Sequence, residues 1–164
     1  FGRIERYKGI SVLAEAYRQI EKKYMDRVSL TIVGRGDFSP YQDVFDALHH
    51  ARLVNRWVAD EEVDGFFRGE KVVTVLPYVD ATQSGVVNIA MQNHSLIIAT
   101  NTGGLSEQLA DGAYGLMVSP NDVKALYDIM EKVVLHYEDY VDIRQDAYNS
   151  LKEFDCLFAP QLFQ

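Results

Sequence analysis

The sequence predicts an α/β chain: a doubly wound parallel sheet of about six strands, helices on both faces, and C-terminal helices packed alongside. Three observations carry that prediction. Val72 to Leu76 is an apolar run broken only by Thr74, the pattern of a strand buried on both faces. Leu96-Ile97-Ile98-Ala99 is a second such run. Between them stand Pro77, a small polar loop from Asp80 to Gly85, and helical spacing at Val86, Val87, Ala90 and Met91. Strand, loop, helix, strand and then Asn101-Thr102-Gly103-Gly104 make a βαβ unit with two loops at one sheet edge.

The remaining elements alternate in the same way. Phe1-Gly2-Arg3-Ile4 reads as the end of a first strand. Ile10, Leu13, Ala14, Tyr17 and Ile20 form the apolar stripe of a helix, with Glu15, Arg18, Gln19 and Lys22 off it. Val28 to Val33 is a strand closed by Gly34-Arg35-Gly36. Tyr41 to Ala51 has helical spacing, with Val44, Phe45 and Leu48 inward. A short strand, Leu53 to Val58, leads to Asp60-Glu61-Glu62, acids suited to a helix first turn, with Val63, Phe66 and Phe67 as its buried face. After the βαβ unit, Tyr114 to Val118 is a last strand. Ser119 is then expected to cap a helix, with Pro120 at its first position and Asp122 reaching back. A further helix spans Asp139 to Phe154, before an apolar end from Leu157 to Phe163.

Length and charge bound the function. At 164 residues one domain is the natural count, with chain enough for a sizeable core. The net charge of −8 argues against nucleic acid as a partner, since phosphate backbones demand a basic surface. Most of that charge lies from Ser119 onward, where nine acidic residues face four basic ones. Cys156 is the only cysteine and has no internal disulfide partner, which fits a reducing compartment. No apolar run approaches the ~18 residues of a membrane span. The chain begins at Phe1, inside a strand and without an initiator Met, and reads as a piece of something longer.

The loop from Thr82 to Gly85 sits where open α/β sheets bind ligands, beyond the carboxyl ends of the strands. Free N–H groups at a helix start suit a phosphate, and the helix dipole favours the same anion. The alternative is ordinary capping of the helix by Ser84 or Thr82. The four histidines make no metal-like spacing with other ligands. His94, at a helix C-terminus, reads as structural.

The stretch from Leu76 to Leu126 resembles the donor-binding half of a GT-B glycosyltransferase of the retaining, family 4-like group (glycosyl transferases group 1). Leu96 to Thr100 before Gly103-Gly104 and Glu107 match that group's strand and glycine loop. Asp111-Gly112, Gly115-Leu116, Val118, Pro120 and Asp122 match its next segment in order and spacing. The resemblance implies a Rossmann-like fold and a nucleotide diphosphate sugar as donor, a UDP-sugar favoured. It implies retention of configuration and a growing glycan or lipid-linked acceptor, held by an N-terminal domain that lies outside this chain. Residues 1–164 would then be one donor-binding domain, inactive alone, with 139–164 returning toward that absent domain. The implied setting is bacterial surface-polysaccharide synthesis, cytoplasmic or peripheral at the inner face of the membrane. No metal is required on this reading.

Gly2-Arg3-Ile4-Glu5-Arg6-Tyr7-Lys8-Gly9 matches the group's G-R-x-x-x-x-K-G pattern. By resemblance Arg3 and Lys8 hold the donor diphosphate together with Thr82, Gln83, Ser84, Gly85 and Val86. That assignment suits their chemistry, since charge on the leaving group must be neutralised as the glycosidic bond breaks. Gly2, Gly34, Trp57, Val58 and Asn88 fall near the nucleotide, and Gly103, Gly104 and Glu107 on the neighbouring loop. Without a ligand in view, Trp57 reads as either a base-stacking side chain or an ordinary core residue.

One departure stands out. Most members carry two glutamates eight positions apart across this loop, one for the donor sugar and one for the ribose. Here those positions are Ala81 and Ile89. Asp80 adjoins the first and is the candidate sugar contact, with capping of the turn after Pro77 as its alternative role. Asn88 adjoins the second, but one residue on a helix is ~100° of rotation. The missing acids keep two other readings open: a non-catalytic nucleotide-sugar-binding module, and a sugar-nucleotide epimerase of the same architecture.

Overall fold

In the computed structural model residues 1–158 are described, with side chains to Glu153. The expected apolar end from Leu157 to Phe163 therefore falls almost wholly outside the described residues. The elements run α1 (Ile10–Tyr24), β1 (Leu30–Val33), α2 (Gln42–Asp46), β2 (Ala51–Val54), α3 (Asp60–Val63) and β3 (Val73–Leu76). There follow α4 (Gly85–Gln92), β4 (Leu96–Thr100), α5 (Gly103–Gln108), β5 (Leu116–Val118), α6 (Val123–His136) and α7 (Val141–Phe158).

All strand pairs are parallel, as the connecting helices require. β3, β4 and β5 form one sheet in that order, with Val73 opposite Leu96 and Ile98 opposite Leu116. β4 lies in the middle, and each of its five residues is buried. Alternation along β3 and β4 sends side chains to two cores. Leu96, Ile98, Val73 and Val75 meet α1 and α6 through Leu13, Ala16, Leu126 and Val133. Leu76, Ile97 and Ala99 meet the other face, where Val87, Ala90, Leu105 and Ala147 come from α4, α5 and α7.

β1 and β2 form a separate two-stranded sheet over a third core of Ile10, Ile32, Phe38, Tyr41 and Phe45. Between β1 and β3 runs a crevice of about 290 Å³. The first segment enters at its mouth: Gly2 N–H donates to Val33 O at 2.9 Å and Ile4 N–H to Arg35 O at 3.1 Å. It forms one bridge, Ile4 to Gly36, instead of the strand expected at Phe1 to Ile4.

Other boundaries moved for local reasons. The helix expected from Tyr41 to Ala51 stops at Asp46, because buried Glu21 draws the chain into a turn by accepting the His49 and His50 N–H groups. The strand expected from Leu53 to Val58 is Ala51 to Val54, parallel to β1. Asp122, not Ser119, caps α6, accepting Ala125 N–H at 2.8 Å. Thr100 Oγ1 donates to the carbonyls of Leu76 and Tyr78, fixing the chain's exit past Pro77.

Two glycine contacts set the loop from Asp80 to Gly85. A Cβ on Gly104 would stand 1.5 Å from Thr82 O, and Gly104 N–H donates to Ala81 O at 3.1 Å. A Cβ on Gly85 would meet open space. Gly104→Ala is therefore expected to cost about 1–3 kcal/mol through overpacking, whereas Gly85→Ala stays within about 0.5 kcal/mol. Chemical denaturation of both variants checks this contrast.

Candidate functional site

Parallel strands deliver their C-terminal loops to one edge, and there Gly2, Lys8 and the loop before α4 meet. Gly2 is the meeting point. A Cβ on it would lie 3.2 Å from Lys8 Nζ and 3.8 Å from Val86 Cγ2, so the Gly2 backbone sits between the lysine and the first turn of α4. Gly34 lets this happen, because a Cβ there would be 1.7 Å from Gly2 O.

Lys8 is half-buried among aromatic rings. Its Nζ donates to Tyr78 Oη at 2.6 Å and lies 4.4 Å from the Tyr78 ring centroid and 5.5 Å from that of Tyr7. Burial pulls the Lys8 pKa below the usual lysine range, with Tyr7 and Glu5 acting against it. Arg3 is exposed and makes no hydrogen bond or ion pair among the described residues.

The loop leaves α4 open. Ser84 occupies the N-cap position but does not cap: its hydroxyl lies 3.2 Å from Tyr78 Oη. Thr82 does not cap either. Val87 N–H donates to Ser84 O, whereas the N–H groups of Gly85 and Val86 find no partner among the described residues. Gln108, on α5, clamps the loop by accepting Ser84 N–H at 2.8 Å and donating to Ser84 O at 3.3 Å. An anion at this helix start would meet two free donors, the positive end of the dipole and the Lys8 ammonium.

The other residues divide. Thr82, Gln83, Asp80 and Asn88 are exposed, and Asp80 makes no hydrogen bond within the turn after Pro77. Ala81 is packed into the core below, and Ile89 lies half-buried against it. Gly103 and Gly104 face the loop backbone, which gives them a buttressing part, and Glu107 is exposed beyond them. Trp57 is 73% exposed, so its core alternative is overturned, while Val58 is half-buried. The Trp57 carbonyl accepts from Arg56, which also pairs with Glu62 at 2.6 Å. No hydrogen bond or ring contact joins Trp57 to Lys8 or the loop among the described residues. His94 stacks on Tyr148 at 3.7 Å, consistent with a structural part.

Two contributors were not anticipated. Tyr78 follows a strand-ending proline at the same sheet edge as Lys8, and that placement was its one available signal. Gln108 carried none, since a glutamine about one turn past a glycine pair has no local mark of a clamp. Among the described residues no three His, Cys, Asp or Glu side chains gather as metal ligands.

Residues 1–136 match the family described as Glycosyl transferases group 1. An uncharacterized 41.2 kDa protein in the cps region of Klebsiella pneumoniae is 23% identical over 160 residues, 95% of this chain and 42% of that protein. A D-inositol 3-phosphate glycosyltransferase of Paenarthrobacter aurescens is 28% identical over 157 residues, 92% of this chain and 35% of the relative. The chain thus spans about two-fifths of the length of such relatives. Among solved structures, the C-terminal domain of a glycosyl transferase group 1 family protein from Francisella tularensis superposes with a TM-score of 0.80 at 22% identity, covering 93% of this chain and 82% of that one. An Anabaena protein, HepE, solved in complex with UDP and glucose, superposes with a TM-score of 0.77 at 16% identity, covering 93% of this chain and 42% of that one. With its Rossmann-like sheet, its open α4 and a family match over most of its length, this chain belongs to the glycosyl transferases group 1 family.

Proposed function

We propose that this chain is the donor-binding half of a retaining glycosyltransferase that takes a nucleotide diphosphate sugar, UDP-linked, and serves surface-polysaccharide synthesis. The observation that carries the reading is the convergence at Gly2, where Lys8 and the open first turn of α4 face the same space. Arg3 and Lys8 neutralise the diphosphate as it leaves, and the free N–H groups of Gly85 and Val86 receive its oxygens, so no metal is needed. The exposed Trp57 offers a face for the base, in the segment after β2 with Val58, as Gly34 follows β1. The HepE structure with UDP and glucose supports UDP as the nucleotide, and the cps-region relative supports the polysaccharide setting. A glycan or lipid-linked acceptor would be held by a partner domain toward which residues 139–164 return. The whole protein would work in the cytoplasm, peripheral to the membrane; no described helix is long and apolar enough to cross one.

Ala81 and Ile89 at the two glutamate positions favour one second reading, a module that binds nucleotide sugar without transferring it. A transfer assay on the full-length protein separates the two.

A titration with UDP, GDP and ADP sugars, read by thermal shift, tests donor binding. Ligand at a hundred times its Kd stabilises the fold by about 2.7 kcal/mol. Arg3→Ala and Lys8→Ala are each expected to weaken UDP binding by about ten- to a hundredfold, the loss of one charge-assisted contact worth ~1.5–3 kcal/mol. Unchanged affinity in both variants overturns the site.

Asp80, exposed and without a turn contact, is assigned to the donor sugar. An ionised carboxylate only accepts hydrogen bonds, so it suits sugar hydroxyls and repels the diphosphate. Asp80→Asn is expected to weaken UDP-sugar binding while sparing free UDP. Equal weakening of both, or of neither, removes Asp80 from the sugar site.

A further inference from the structure

We propose that Tyr78 is a positioning residue for Lys8: its phenol oxygen holds the lysine ammonium at the entrance of α4 and so sets how Lys8 meets an anionic ligand. This rests on the reading of Lys8 as a diphosphate contact. Three features of the Tyr78 side chain support it. Its ring is 2% exposed and held by a T-shaped contact with Tyr7 at 5.7 Å, so the hydroxyl has a fixed place. That hydroxyl accepts from Lys8 at 2.6 Å. On its other side the hydroxyl meets Ser84 Oγ at 3.2 Å, which draws Ser84 away from capping α4.

The phenol therefore acts twice. It pins the cation, and it keeps the helix start free of its own side-chain cap. A lysine ammonium has three donors; with one given to Tyr78, two remain for a ligand. A buried ammonium without such an acceptor loses stability relative to the neutral amine. The Tyr78 hydroxyl thus helps keep Lys8 charged as well as placed. Burial raises the pKa of Tyr78 itself, so it stays a neutral acceptor where Lys8 is a cation.

Tyr78→Phe tests this, since Phe keeps the ring packing and removes only the oxygen. The first measurement is an NMR titration of the Lys8 side-chain amine in the ligand-free chain. The other titratable groups facing Lys8 are Glu5 and Tyr7, which both proteins share. The Lys8 midpoint is expected to fall further in Tyr78→Phe, and the alkaline limb of UDP binding to move to lower pH with it. The second measurement is a double-mutant cycle on UDP affinity. Tyr78→Phe is expected to weaken binding about three- to tenfold in the native background, the range of one lost hydrogen bond. In a Lys8→Met background the weakening should be clearly smaller, the remainder being the share of Ser84 released to cap α4. An unmoved Lys8 midpoint, or equal weakening in both backgrounds, overturns the proposal. If Lys8→Met alone leaves UDP affinity unchanged, the diphosphate reading fails instead, and the Lys8 midpoint still decides the part of Tyr78.

Discussion

The constraint on which the rest depends is the complete burial of β4. Five successive residues, Leu96 to Thr100, are shut between two helical layers and two neighbouring strands. Such a strand admits no polar face, so its sequence is apolar until Thr100, whose hydroxyl is satisfied by two carbonyls across the sheet edge. Parallel pairing on both sides then commits every connection to a crossover, and each crossover brings its loop to the same edge. The site is a consequence of that arrangement. Lys8, the Tyr78–Ser84 loop and Gln108 are far apart in sequence, and the fold at the strand ends collects them.

How much of this was legible follows from the range of the forces involved. Apolar runs marked β3 and β4, because burial on both faces writes itself into consecutive residues; the one polar member of β3, buried Thr74, is paired with Ser95 at 2.7 Å. The open start of α4 was readable from Thr82 to Gly85 as one of two alternatives, and the structure selects it by sending Ser84 to Tyr78. Which residue capped α6 was less legible: Ser119 and Asp122 both have capping chemistry, and only backbone geometry chose Asp122. The turn that shortened α2 depends on Glu21, a carboxylate from another helix that no local pattern in 42–51 announces. Trp57 shows the same limit from the opposite side. An aromatic residue after a strand is ambiguous until the surrounding layers are in place. Contacts between Lys8 and Tyr78, seventy positions apart, lie wholly beyond periodicity.

The electrostatics are arranged against the average. The chain carries a net charge of −8, yet the candidate site presents Arg3, Lys8 and a helix N-terminus. Most of the acidity belongs to the segment from Ser119 onward. Part of it is spent locally, as where Glu131 accepts Lys23, Tyr24 and Tyr127, which hold its pKa down to about 2. Interactions between exposed charges fade over about 8–10 Å at ordinary salt. A positive focus can therefore persist on one edge of an acidic protein, provided the basic groups there are few, close and partly shielded from water.

Gly34 and Gly104 act on a finer scale than the charges. A Cβ on Gly34 would stand 1.7 Å from Gly2 O, and one on Gly104 1.5 Å from Thr82 O. The segment carrying Lys8 and the loop before α4 are thus each seated on a bare backbone carbon, with no side chain as a spacer. Both placements are toleranced to less than the width of a methyl group, and one added carbon at either glycine would push its neighbour out of alignment with the helix start.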